Sequence, residues 1–144
     1  MQQPFVQLLR DAAHGGAQPS QPALRDALKR LDLLLSDLAG DLQVEHFGPH
    51  AGLAGAPAAH QLVVREHVWN LHARGWGAAV CSTQPGAGWR ADWPLYGVSR
   101  ERQMVVVRAL PAFLQGYQAS ISAAGLGERN AGRRVAELAA YFAA

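Results

Sequence analysis

Four side chains suited to chemistry, Arg65, Trp69, His72 and Trp76, recur at spacings of four, three and four residues. On a helix turning about 100° per residue they share one face, within an arc of roughly 60°. A second stripe, Val64, Val68, Leu71, Gly75 and Ala78, is apolar and covers another face. Arginine's planar fork donates two parallel hydrogen bonds to a carboxylate. Tryptophan adds a flat apolar stacking surface with a single donor. Glu66, beside the arginine, supplies an acceptor for ring N–H groups. Together these groups suit a flat molecule with ring nitrogens and acidic side arms, a description that a tetrapyrrole meets. The competing reading needs no ligand: an arginine packed on tryptophan at the edge of a core, worth about 0.5–2 kcal/mol.

Other chemistry finds less support. His46 and His50 are separated by Gly48 and Pro49, so no helix holds both on one face. His60 and His67 are seven apart, with no carboxylate at ligand spacing between them, and no HExxH or Cys/His zinc pattern occurs. No metal site is expected. Cys81, the sole cysteine, excludes an internal disulfide, and its neighbours Ala78 to Val80 are apolar, surroundings in which a thiol is usually inert. There is no GxSxG elbow, and Gly86-Ala87-Gly88 lacks the rest of a phosphate loop. The chain is therefore read as a non-enzyme, with a small enzyme using Cys81 and a histidine as the outlying alternative.

The elements that must position these residues read as helices. Pro4 to Ala13 carries Phe5, Leu8, Leu9 and Ala12 on one face. Ser20 is placed to cap the next helix, with Pro22 in its first turn. Leu24, Leu28, Leu31, Leu35, Leu38 and Leu42 then form a seam at alternating four and three, which needs a partner helix within the chain or in a second copy. Gly48 to Pro57 reads as a loop, and Ala58 to Arg74 as a central buried helix. Gln84 to Tyr96 is a second irregular stretch. Ser99 caps a long helix running to about Ala124, with Pro111 inside it, and Glu128 to Ala143 forms the last. The Gly77–Ser82 apolar run is the one place where a strand could hide.

Composition limits the choice further. The 144 residues leave room for one domain, and 49% hydrophobic against 17% charged residues permits a proper core. The net charge of +2 is mild, and Arg129, Arg133 and Arg134 are too few for a nucleic-acid footprint. No segment reaches the roughly 18 apolar residues of a membrane span, and no signal-peptide core opens the chain; a cytoplasmic location is expected.

The segment Val63-Val64-Arg65-Glu66-His67-Val68-Trp69-Asn70-Leu71, followed by Trp76-Gly77-Ala78, resembles the central helix of phycobilisome proteins. There, a Cys-x-Arg-Asp-x-Asp motif precedes aromatics and leucine. Leu95-Tyr96-Gly97-Val98, then Val106 to Leu114 and Val135 to Phe142, is similar to that family's last two helices. The same Tyr-Gly-Val opening occurs in bacterial globins, whose fold phycobiliproteins share. The resemblance implies an all-α fold, a single globin-like helical domain over residues 1–144. An N-terminal helical pair (1–42) would extend a globin-like core (58–144). It implies a bilin, biliverdin-like, with haem second because Trp93 falls where a haem-ligating histidine would stand. Arg65 would pair with a propionate and Glu66 with ring nitrogens, Trp69, His72 and Trp76 forming the wall. Val63 stands at the bilin-attaching cysteine, so attachment there is excluded, and Cys81 is an alternative tether if it faces the pocket. The other expectation is a ligand-free helical regulatory or assembly module, acting through protein contacts, including a homodimer through the Leu24–Leu42 seam.

Overall fold

Pro4 sits in the first turn of α1 (Pro4–Ala13), where its missing N–H leaves no hydrogen bond unmade. Val6, Leu9 and Ala12 line its buried face. Ser20 caps α2 (Gln21–Leu42), its hydroxyl accepting from the Ala23 N–H. Gln43 ends α2 in the left-handed region at φ 52°, its N–H donating to Ala39 O. Ser99 caps α3 (Arg100–Ala123) by accepting from the Arg102 N–H, and the helix runs through Pro111. Gly125, at φ +78°, turns the chain toward α4 (Asn130–Ala143). The computed structural model describes residues 3–16, 18–52, 59–70, 73–84, 89–97 and 99–144.

All six leucines of the α2 seam are buried in the core of the same chain. They join Val106, Leu110, Phe113, Tyr117 and Ile121 of α3 and Val135, Leu138 and Phe142 of α4. The seam's helical partners are thus α1, α3 and α4.

The chain between α2 and α3 overturns the all-α, globin-like expectation. It forms β1 (His46–Gly52), β2 (Ala59–Asn70), β3 (Ala73–Gln84) and β4 (Trp89–Trp93), an antiparallel sheet in the order β1-β2-β3-β4. The fold is mixed α and β, and the 58–144 helical core does not form as such. The stretch from Gly48 belongs partly to β1, and β4 lies inside the segment expected to be irregular.

The cause is burial on both sheet faces. Leu62 and Val64 of β2, with Ala78 and Val80 of β3, join the main core under the helices. Val63, Ala79 and Cys81 point the other way and form a second small cluster. A strand buried on both sides shows a continuous apolar run, not alternation, and such a run also fits a helix stripe. Gly77–Ser82, where a strand was expected to hide if anywhere, lies within β3.

Candidate functional site

In β2 the side chains alternate, so Gln61, Val63, Arg65 and His67 lie on the face of the second cluster. The register sets Arg65 opposite Gly77 and His67 opposite Gly75. Neither glycine raises a side chain on β3, which leaves the long Arg65 and the His67 ring free to lean across that strand. They reach Asp92 on β4, whose own register partner is Cys81. α2 borders this corner: a Cβ on Gly77 would lie 3.0 Å from Ser36 Oγ.

The Asp92 carboxylate is the hub. The Arg65 guanidinium donates to Asp92 Oδ2 as an ion pair. His67 Nδ1 lies 3.4 Å from the same oxygen. The Cys81 thiol also bonds this carboxylate. Burial alone would push the Asp92 carboxyl up. The hydrogen bond and charge of Arg65, then the Cys81 thiol and His67, outweigh it and hold the group below its usual 3.8. His67, only 3% exposed in its side chain, is held below 6.5 chiefly by burial; Arg65 acts in the same direction and Asp92 against it. Nearby Asp32 of α2 is raised by burial, which exceeds the opposing hydrogen bonds from the Leu95 N–H and Ser36 and the charge of His67.

Of the residues expected to form one ligand wall, the structure places Glu66 and Trp76 on the other face of the sheet from Arg65 and Cys81. Arg65 and Cys81 share a face and a partner, Asp92. Glu66 and Trp76 are register partners on the opposite face, Trp76 packing against the main core. Trp69 falls at the register irregularity between Val68 and Asn70; its side chain, like the whole of His72, lies outside the described residues. The motif that resembled a phycobilisome helix lies on β2 and β3, so the single helical face on which a bilin or haem wall was expected does not form.

From sequence, His67 is weighed only as a metal ligand beside His60, and Asp92 carries no expectation. The signal lay in the pairing of residues 65 and 67 with glycines 77 and 75, legible only once a hairpin is assumed. Among the described residues, no group of three or more His, Cys, Asp or Glu side chains is placed to hold a metal ion. No described helix is long and apolar enough to cross a membrane. A scan of family models and searches of curated proteins and of solved structures return no match to this chain.

Proposed function

We propose that the chain is a non-catalytic interaction module that works through protein–protein contacts. The observation that supports this most is that Arg65, His67 and Cys81 all turn to Asp92, a carboxylate of the same chain. Arg65, the cation best suited to an acidic ligand, already faces a carboxylate in the same chain. An acidic ligand would have to displace Asp92 and leave that part-buried carboxylate without its cation, at a cost of about 1–3 kcal/mol. Cys81 is 1% exposed, so its sulfur is closed to substrates. Meanwhile Leu33 on α2, Phe47 on β1 and Trp93 on β4 stand 62%, 44% and 38% exposed, offering apolar surface that a protein partner can cover.

The test has two arms. Iodoacetamide should alkylate Cys81 in the native chain far more slowly than it alkylates free cysteine. Affinity capture should find a protein that the wild type retains and that Leu33→Asp, Phe47→Asp or Trp93→Asp loses. Alkylation at the free-cysteine rate or faster would overturn the reading in favour of thiol chemistry. Retention of every captured protein by all three variants would count equally against it.

A further inference from the structure

His46 begins β1, an edge strand, and pairs with Val64 of β2. Its ring lies against α3, the helix that packs on this strand. The ring centroid is 5.6 Å from that of Phe113 and 6.2 Å from that of Tyr117, the latter pair stacked with planes 25° apart. His46 Nδ1 and Ser120 Oγ share a hydrogen bond of 2.9 Å. Room for the ring comes from Gly116: a Cβ there would lie 2.6 Å from His46 Nε2 and 2.8 Å from Cε1. Residues 113, 116, 117 and 120 fall on one face of α3, and together they make a slot shaped to an imidazole. Glycine inside a helix is unfavourable by about 1 kcal/mol relative to alanine. Its presence here is explained by the ring it admits.

The slot suits a neutral ring. From Ala109 to Ala123, α3 carries one titratable side chain, Tyr117, whose hydroxyl burial pushes up to about 12. On β2, Arg65 is on the opposite face, and Glu66, two residues beyond Val64, is exposed. His60, paired with Ala51 of β1 and bonded to Ser82, has its pKa lowered by burial and by Arg102 of α3. On the approach to β1, Glu45 is also exposed. Burial is what lowers the His46 pKa, and no charged neighbour offsets it.

We propose that His46 is an acid-released pin: neutral, it locks the edge strand β1 onto α3, and protonated, it leaves the slot and frees β1 from the helix layer. Unlike a general acid-unfolding effect, this predicts a local opening. Amide hydrogen exchange of β1, corrected for the intrinsic pH dependence, reads it directly. In the wild type, β1 opening should become up to about tenfold more frequent for each pH unit below 6.5, until the folded pKa is passed. The amides of α2 should stay slower-exchanging throughout, so that the event is release of β1 and not unfolding of the chain. His46→Asn keeps a hydrogen-bonding atom where Nδ1 sits but cannot take a proton, and its β1 exchange should retain only the smaller acid response left by His60, which pairs with Ala51. Gly116→Ala, which blocks the slot, should show released β1 exchange already at about pH 7.5. Wild-type β1 exchange without acid acceleration would overturn the proposal. So would equal acceleration in His46→Asn, or full β1 protection in Gly116→Ala.

Discussion

At the scale of single residues, burial controls the protons. His46, His60 and His67 all have their pKa lowered, with burial the leading cause in each; Arg102 adds to the effect at His60. A depressed histidine binds more protons unfolded than folded. Its contribution to stability is therefore complete above 6.5 and falls as pH drops from there to the folded pKa. Asp32, with a raised carboxyl, acts in the opposite sense: its ionisation is a standing cost that is relieved as pH falls through its folded pKa, above 3.8. The three histidines dominate the first acid step. Urea midpoints should be level above about pH 7.5 and should decline as pH falls from 6.5 toward the folded pKa values; a midpoint that does not fall below 6.5 would refute the assignment. None of these roles could be read from residue type. His60 bonds Ser82 at 2.8 Å across β2 and β3, and His46 bonds Ser120 across 74 positions of chain. Neither pairing has a local sequence signal.

At the scale of elements, helices announced themselves and strands did not. Ser20 and Ser99 cap the helices that follow them, and the Leu24–Leu42 seam lies on α2 as spaced. Caps and heptad spacing are local signals that need no knowledge of the rest of the fold. The β2–β3 hairpin gave a misleading stripe because Leu62, Val63 and Val64 are buried on both faces of one strand. β-branched runs there and glycines at 75 and 77 were the available warnings. The same seam gives a sharp stability contrast. Leu35 is fully buried and Leu33, on the same helix, is 62% exposed. Leu35→Ala should destabilise the chain by about 2–5 kcal/mol, whereas Leu33→Ala should stay within about 0.5 kcal/mol. Equal losses in urea unfolding would mean that α2 is turned about its axis relative to this structure.

At the scale of the whole molecule, the main core lies between the described helices and one face of the antiparallel sheet, and a smaller second core lies on the sheet's other face. Arg65, the cation that most invited a ligand reading, lies at the second core, tied with His67 and Cys81 to Asp92 across three strands. Arg65 and Asp92 are 27 positions apart, and their side chains are 26% and 18% exposed. That is buried enough for the pair to matter and open enough to remain charged. The most direct test of this pairing is a double-mutant cycle in urea, with Arg65→Met, Asp92→Asn and the double variant. The structure predicts a coupling of about 1–2 kcal/mol, each single change costing more alone than in the other's presence. Additivity within about 0.3 kcal/mol would show that Arg65 and Asp92 do not hold one another, and would return Arg65 to the role of a cation awaiting a ligand.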